Sequence, residues 1–167
     1  MEGRGACKVA DARAHRHAGH TYSATPSRKE FLILMHIIAA LNWDYAHIDE
    51  VRAFLKAPYK GKTRAFTKFR GGAQYYEILG ALYGLKTAPR DYQEEVARRL
   101  ETLGFTRLVM CSCIYIMKRS QDIIIVYDYV DDFIFTGSSR AVIDVVKMKT
   151  FARFAKQQNQ YGMRKGS

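Results

Sequence analysis

The sequence predicts an α+β fold, in which an antiparallel sheet packs on helices, and three observations support this prediction. Apolar residues at helical spacing follow helix-capping residues at three places in the chain. Runs rich in β-branched and aromatic residues lie between these helices, and two of the runs are separated only by an acidic dipeptide, as in a hairpin. With 167 residues, of which 48% are hydrophobic, the chain is large enough to form the core of one domain.

The first helix is predicted to begin after Ser27. The segment S-R-K-E places Glu30 three residues after this serine, which is the pattern of a capping box. Residues 31–41 are apolar on nearly every side, so we expect this helix to be deeply buried. Asn42 can end it. The preceding residues 1–25 are rich in glycine, alanine, arginine and histidine, and are predicted to form a loose basic segment.

Two further helices are predicted by their capping residues. Thr87 can cap the second helix, and either Ser138 or Ser139 can cap the third. The polar residues 156–167 that follow the third helix are predicted to be disordered. This leaves residues 26–155 as the predicted folded domain.

The charge of the chain favours a polyanionic partner. Lysine and arginine exceed aspartate and glutamate by 27 to 16, which gives a net charge of +11. Nucleic acid is the simplest partner for such an excess, although a protein that is merely basic remains an alternative. The longest apolar run is too short to span a bilayer, and three cysteines fit a reducing compartment. We therefore expect an intracellular protein without a membrane partner, in the cytoplasm or the nucleus.

Acidic residues stand in two β-rich segments where acids are normally depleted. Asp131 and Asp132 separate two β-rich runs, and Asp49 lies in a similar run. In one interpretation, Asp131 and Asp132 form an ordinary turn, and their side chains accept hydrogen bonds from the local backbone. In the other, three carboxylates from two strand ends hold two divalent ions, Mg²⁺ or Mn²⁺, through oxygen atoms. Two such ions can activate a hydroxyl group and neutralise a leaving pyrophosphate.

Four motifs, in this order along the chain, resemble those of reverse transcriptases from copia-type (Pseudoviridae) retrotransposons. They are I-D-E-V-R-A-F-L at 48–55, L-Y-G-L-K-T-A-P-R at 82–90, L-G-F-T-R at 103–107 and Y-V-D-D-F-I-F-T-G at 129–137. The resemblance runs from about residue 20 to residue 155. It implies a palm-and-fingers polymerase that is an RNA-directed DNA polymerase, with an RNA or DNA template-primer and a deoxynucleoside triphosphate (dNTP) as partners.

The resemblance also assigns roles to individual residues. Asp49, Asp131 and Asp132 match the family's catalytic, metal-binding acids, which hold two Mg²⁺ or Mn²⁺ ions. Phe54 matches the aromatic ring that excludes a 2′-hydroxyl group from the nucleotide site. Gly84, Lys86 and Arg90 match the block that lines the template and the incoming base, and with Tyr129 of the hairpin motif they are assigned to nucleotide binding. Lys62, Arg64 and Lys68 are assigned to nucleic-acid binding by their charge alone, because the segment that contains them departs from the family pattern.

The sequence departs from the family pattern at several points, and two of these bear directly on the predicted fold and activity. Asp128 replaces an apolar residue just before the hairpin, on the strand face that should pack on helices, so we expect a costly buried acid there. The chain also ends soon after the third predicted helix, so the thumb is predicted to be absent. These features predict a fingers-palm fragment of a retrotransposon polyprotein, with integrase and RNase H domains as further candidate partners. The alternative is a catalytically inactive, basic remnant that only binds nucleic acid.

Overall fold

The structure is a computed structural model that describes residues 8–9, 22–61, 64–69, 72–157 and 163–165. Most of the predicted loose segment 1–25 therefore lies outside the described residues, as does Lys62. The elements, in chain order, are β1 (Lys8–Val9), α1 (Arg28–Ala40), β2 (Asp44–Asp49), a 3₁₀ turn (Ala53–Lys56), β3 (Phe66–Lys68), β4 (Tyr75–Ile78), α2 (Ala88–Thr102), β5 (Thr106–Arg107), β6 (Ile114–Arg119), β7 (Asp122–Tyr129), β8 (Asp132–Gly137), α3 (Arg140–Gln157) and β9 (Met163–Lys165).

These elements confirm the predicted α+β class and form two compact units. The five-stranded unit comprises Ala24–Ala53 and Gln93–Lys156, and the four-stranded unit comprises Met1–Ser23, Phe54–Tyr92 and Gln157–Ser167. Each unit contains one antiparallel sheet. Across the part of the chain that the structure describes, no helix is long and apolar enough to cross a membrane.

The sheet of the five-stranded unit has the strand order β2-β8-β7-β6-β5. Strands β6, β7 and β8 follow one another along the chain and are joined by two-residue turns, because Arg119 pairs with Asp122 and Tyr129 pairs with Asp132. The second of these hairpins is the one that the acidic dipeptide predicts. Strand β2, which comes much earlier in the chain, completes the sheet by pairing along β8.

Helix α1 packs on one face of this sheet with only one of its sides. Leu34 and Ile38 are buried in a cluster that includes Tyr127 of β7. On the other side of the helix, Leu32 and Ile33 are 44% and 60% exposed. The prediction of a deeply buried helix was therefore wrong. Apolar composition shows that a helix can be buried, but the number of its sides that are covered depends on the neighbours that the fold supplies.

The opposite face of the same sheet is more completely buried. Val126, Phe133 and Phe135 lie on that face by their register, and each is fully buried. Helix α1 contacts the other face, so parts of the chain other than α1 cover this one. Helices α2 and α3 carry the fully buried Val96 and Ile143 within this unit, which is consistent with that role.

The four-stranded unit contains the sheet β1-β3-β4-β9. Glu77 of β4 accepts hydrogen bonds from Arg64 at 2.5 and 2.8 Å and from Arg164 of β9 at 2.7 Å. These bonds hold the pKa of Glu77 at about 2. Strand β9 lies in the segment 156–167, where the sequence predicts disorder. A polar segment gives no hint of such a strand, because edge pairing uses backbone groups that almost every residue has.

The structure confirms the predicted capping box at Ser27 and the predicted starts of the other two helices. Ser27 forms a capping box, in which its Oγ accepts from the N–H of Glu30 and its own N–H donates to Glu30 Oε2 at 2.5 Å. Helix α2 begins directly after Thr87. Helix α3 begins directly after Ser139, whose carbonyl oxygen accepts the N–H of Ile143 at 3.0 Å. The local sequence thus determines where each helix begins.

Replacing Ser27 by alanine should lower the free energy of unfolding by about 1 kcal/mol, because the first turn of α1 loses the acceptor of its capping box. Chemical denaturation monitored by circular dichroism measures the difference. Ser27→Thr is the matched control, since threonine keeps a capping hydroxyl group. Equal destabilisation by both changes would contradict a capping role for this side chain.

Candidate active site

The predicted acids lie at the strand ends along one edge of the five-stranded unit. Asp49 is the last residue of β2 and stands directly opposite Asp132, the first residue of β8. Asp131 is the second residue of the turn between β7 and β8. The N–H of Glu50 donates to the carbonyl oxygen of Asp131 at 2.6 Å. The end of β2 is thereby attached to the turn that carries the acidic dipeptide.

The three acids differ in exposure. Asp49 is exposed, whereas Asp131 is half-buried and its Oδ1 atom is inaccessible to solvent. Asp132 is about half exposed, and its Oδ1 lies 2.8 Å from Nε2 of His47. His47 is not among the site residues predicted from the sequence. Its place beside the acids was predictable from the sequence, because His47 lies two residues before Asp49. Side chains two residues apart in a strand lie on the same face of the sheet.

The opposed pair Asp49 and Asp132 is electrostatically unfavourable unless a cation is near, because like charges directly across an antiparallel ladder repel. A divalent cation between the two carboxylates would relieve this repulsion. Carboxylate oxygens are the ligands that Mg²⁺ prefers, so the donor chemistry suits that ion. However, no three His, Cys, Asp or Glu side chains among the described residues lie close enough together to hold a metal ion. The predicted ion site therefore stays a prediction.

A cavity of about 330 Å³ opens beside Asp132, on the face of the sheet that carries α1. It is lined by Phe31, His47, Tyr127, Tyr129, Asp132 and Ile134. Burial raises the pKa of Tyr127 to about 12, so this side chain is neutral at ordinary pH. Tyr129, which the sequence assigns to nucleotide binding, is 47% exposed at the rim of the hairpin. The cavity thus combines aromatic walls with one carboxylate of the predicted site.

Asp128 confirms the expected buried acid. It is 3% exposed on the face of β7 opposite α1, and its Oδ1 has no hydrogen-bond partner among the described residues. Burial raises the pKa of this carboxyl group to about 7, although the charge of Arg107 and a hydrogen bond from the Val130 N–H oppose the rise. Glu50 and Asp131 raise it further by like-charge repulsion. Near neutral pH this group is therefore partly protonated.

Phe54 lies in the 3₁₀ turn and belongs to the four-stranded unit. Its ring centroid is 4.5 Å from that of Tyr83 and 5.7 Å from that of Tyr92, with the second ring packed edge-on. Tyr92 is buried, whereas Phe54 is half-buried and Tyr83 is half exposed. The aromatic ring is thus held in place by its neighbours and keeps a partly accessible surface, as its predicted role requires.

The other predicted nucleotide-binding residues of this unit differ in their surroundings. Gly84 has a φ of +96°, which glycine adopts without strain. Lys86 is exposed. Arg90 donates to the fully buried Asp91 at 2.8 Å, so its charge is balanced by a carboxylate. The requirement for glycine in this motif therefore has a backbone cause here, independent of any ligand.

Two predicted nucleic-acid-binding residues are described, and their charges are used differently. Arg64 is engaged by Glu77, with which it forms two hydrogen bonds. Lys68 places its Nζ 5.4 Å from the ring centroid of Tyr75, which is half exposed. A cation beside an accessible aromatic ring suits phosphate contact combined with base stacking. Lys68 is therefore the better placed of the two for such a role.

Comparison with known proteins gives a consistent set of similarities. The family model described as reverse transcriptase (RNA-dependent DNA polymerase) matches residues 9–162. The retrovirus-related Pol polyproteins from transposons RE1 and RE2 of Arabidopsis thaliana are 26% and 25% identical to the chain over 128 residues, which is 74% of this chain and 9% of each polyprotein. A putative transposon Ty5-1 protein of Saccharomyces cerevisiae is 30% identical over 91 residues, 54% of this chain and 30% of that protein. No solved structure matches the chain.

Replacing Asp128 by asparagine should stabilise the fold above pH 7 and leave stability nearly unchanged below pH 4. Since the pKa of Asp128 is raised from 3.8 to about 7 on folding, the parent loses stability as the pH rises through this window. The full difference corresponds to at most roughly 4 kcal/mol. Urea unfolding of parent and variant at several pH values between 4 and 8 measures it.

The matched control for this experiment is Asp122→Asn. Asp122 begins β7 at the other hairpin of the same sheet, where its side chain accepts from Ser138 Oγ at 3.0 Å. This variant removes a carboxylate at the other end of the same strand, so it shows how much of any pH dependence is specific to Asp128. A stability difference between Asp128→Asn and the parent that is the same at pH 4 and pH 8 would contradict the raised pKa.

Proposed function

Because this chain belongs to the reverse transcriptase (RNA-dependent DNA polymerase) family, we propose that it is the reverse transcriptase domain of a copia-type retrotransposon polyprotein and catalyses RNA-directed DNA synthesis. The similarity to transposon Pol polyproteins supports this origin. The observation that carries the proposal is the register of β2 and β8. It sets Asp49 directly opposite Asp132, beside the turn that holds Asp131.

In this proposal the five-stranded unit is the palm and the four-stranded unit is the fingers. The acids, Tyr129 and His47 belong to the five-stranded unit, as expected of a palm. Phe54 and the segment from Gly84 to Arg90 belong to the four-stranded unit and would contribute the nucleotide contacts. The dNTP and the template-primer would be the partners of the chain, in an intracellular setting, beside integrase and RNase H domains of the same polyprotein.

The proposed reaction is attack by a primer 3′-hydroxyl group on the α-phosphate of a dNTP, with release of pyrophosphate. When bound, two Mg²⁺ or Mn²⁺ ions would activate the hydroxyl and neutralise the leaving group. The carboxylates of Asp49, Asp131 and Asp132 would hold these ions. The half-buried ring of Phe54 would lie under the deoxyribose and exclude a nucleotide that carries a 2′-hydroxyl group.

Affinity for the template-primer would come from the net charge of +11 and from local contacts such as that of Lys68 beside Tyr75. Neutralising backbone phosphates releases condensed counterions, so binding should weaken as the salt concentration rises. This term is independent of nucleic-acid sequence, as a polymerase that copies any template requires. Discrimination among nucleotides would then depend on pairing with the template.

Replacing Asp131 by asparagine should reduce primer extension on an RNA template at least 100-fold, because an amide oxygen is a weaker ligand for a divalent ion than a carboxylate oxygen. The measurement is Mg²⁺-dependent extension of a labelled primer, with matched circular dichroism spectra to show that both proteins are folded. Asp122→Asn at the other hairpin is the matched control and should retain the parental rate.

The possible outcomes separate the parts of the proposal. Extension by the parent and by Asp122→Asn, but not by Asp131→Asn, supports both the activity and the site. Equal extension by the parent and by Asp131→Asn would exclude Asp131 from the site. A folded parent that does not extend a primer, under conditions in which it binds the template-primer, would contradict the proposed activity of this chain.

A further inference from the structure

His47 and Asp132 meet on one face of the five-stranded sheet, although 85 positions separate them in the chain. The register of β2 and β8 pairs His47 with Ile134, and Asp49 with Asp132. Paired residues of an antiparallel ladder share a face of the sheet, as do residues two apart in one strand. His47 is therefore the diagonal neighbour of Asp132 across the two strands, and its Nε2 atom lies 2.8 Å from Asp132 Oδ1.

The chemistry of the two groups decides which of them donates this hydrogen bond. A carboxylate can only accept, so Nε2 of His47 carries the hydrogen atom and donates it to Oδ1 of Asp132. Hydrogen bonds to a charged acceptor are shorter and stronger than those between neutral groups. The bond engages one oxygen atom of the carboxylate, which has two. Asp132 can thus keep its bond to His47 while Oδ2 binds a cation.

The position of Asp49 explains why Asp132 needs such a partner. The two carboxylates stand directly opposite each other at the strand ends, where like charges repel. His47 lies two residues further from the end of β2, so its ring directs Oδ1 of Asp132 toward the middle of the strand pair. Without this donor, repulsion from Asp49 would turn the Asp132 carboxylate away from the edge that carries the candidate site.

The pair of His47 and Asp132 contributes little to the stability of the fold. Their side chains are 54% and 51% exposed, and ion pairs at exposed positions add little to stability. Both side chains line the cavity whose walls include Tyr127 and Tyr129, so part of their surroundings is aromatic rather than bulk water. The main effect of the bond is therefore on the orientation of the carboxylate.

We propose that His47 is a positioning residue, which holds the Asp132 carboxylate through Oδ1 against repulsion from Asp49 and leaves Oδ2 to a divalent cation. Carboxylates that bind metal ions are commonly held by hydrogen bonds from outer-shell groups. The inference rests on the proposed function, because it takes Asp132 as a ligand of the reacting ions. Its structural half, the orientation of Asp132, stands independently of catalysis. His47 itself would contact neither the nucleotide nor the ions.

Two substitutions of His47 separate the hydrogen bond from the bulk of the ring. His47→Phe keeps a planar ring that suits a strand, and it removes the donor. His47→Gln keeps an N–H donor at a similar reach from the backbone. Because the pair is exposed, both variants should unfold at the same urea concentration as the parent. His36→Ala is the matched control, since His36 is also exposed in this unit and its Nδ1 lies 3.0 Å from the Leu32 carbonyl oxygen of the same helix.

The first measurement is the carbon-13 signal of the Asp132 carboxyl group, recorded by nuclear magnetic resonance on the full chain without metal ions. This signal should shift in His47→Phe and return most of the way in His47→Gln. Phenylalanine keeps an aromatic ring at the position, so loss of the ring is not the cause of the shift. The carboxyl signal of Asp122, which accepts from Ser138 Oγ at 3.0 Å, should stay in place in every variant.

The second measurement is the affinity of the full chain for Mn²⁺ alone, from the paramagnetic resonance signal of the free ion. Asp132→Asn identifies the ions that are held at this site. His47→Phe should weaken their binding at least 10-fold, because loss of an outer-shell partner typically costs 10- to 100-fold in affinity. His47→Gln should stay within a few-fold of the parent, and His36→Ala should equal it.

The third measurement is primer extension as a function of Mg²⁺ concentration. His47→Phe should need at least 10-fold more Mg²⁺ for half of its maximal rate, with unchanged affinity for the template-primer. His47→Gln should restore a nearly parental requirement. A purely structural role would not shift the Mg²⁺ requirement of a variant that unfolds like the parent.

The outcomes distinguish failure of this inference from failure of the proposed function. An unmoved Asp132 signal in folded His47→Phe would overturn the inference, as would Mn²⁺ binding as tight as in the parent, or tighter. A parent that binds no Mn²⁺ through Asp132 would overturn it as well. If the signal and the Mn²⁺ affinity change as expected but the parent does not extend a primer, the proposed function fails and the positioning of Asp132 by His47 stands.

Discussion

The pairing of β2 with β8 determines where every acid of the candidate site lies. Asp49 and Asp132 are far apart in the sequence, and the register of these two strands places them directly opposite each other. Because strand side chains alternate between faces, a slip of one residue would move Asp132 to the opposite face of the sheet. The bond between the N–H of Glu50 and the carbonyl oxygen of Asp131 adds a further constraint just beyond the last pair.

Several unfavourable features are concentrated at this one edge of the sheet. Two carboxylates stand opposite each other, an acid is buried beneath the turn, and a valine adopts a positive φ. A positive φ at a non-glycine residue alone costs on the order of 1–3 kcal/mol. Among the described residues at the opposite end of the same sheet, where Ser120 lies in the turn, no comparable acid is buried. Features that lower the stability of the fold are expected at a functional site, where charged side chains are needed for binding or catalysis.

Several charges outside the candidate site are balanced by ion pairs, whereas the site places two carboxylates opposite each other. In the four-stranded unit, Glu77 is paired with two arginines, and Arg90 is paired with the buried Asp91. Such pairs hold the local structure together and leave little net charge for a ligand. In the five-stranded unit, Asp49 is exposed beside a second carboxylate. The candidate site thus brings like charges together, whereas Glu95 of the same unit is paired with Arg98 and Arg99.

The sequence by itself determined the helix starts, the acidic hairpin, the α+β class and the family. Each of these depends on contiguous residues: Ser27 and Glu30 form their capping box within one turn, and the β7–β8 hairpin closes over two residues. The buried Asp128 was also predictable, because strand alternation places it on the face opposite Tyr127. Local periodicity and capping thus account for most of the element order.

Only the tertiary structure decided which surfaces were covered and which distant residues met. Helix α1 buries one side and leaves Leu32 and Ile33 exposed, although its composition suits burial all round. His47 meets Asp132, and β9 pairs with β4, through contacts between segments far apart in the chain. The physical reason is the same in each case. A sequence fixes the preferences of each segment, whereas burial, charge pairing and edge pairing depend on which segments the fold brings together.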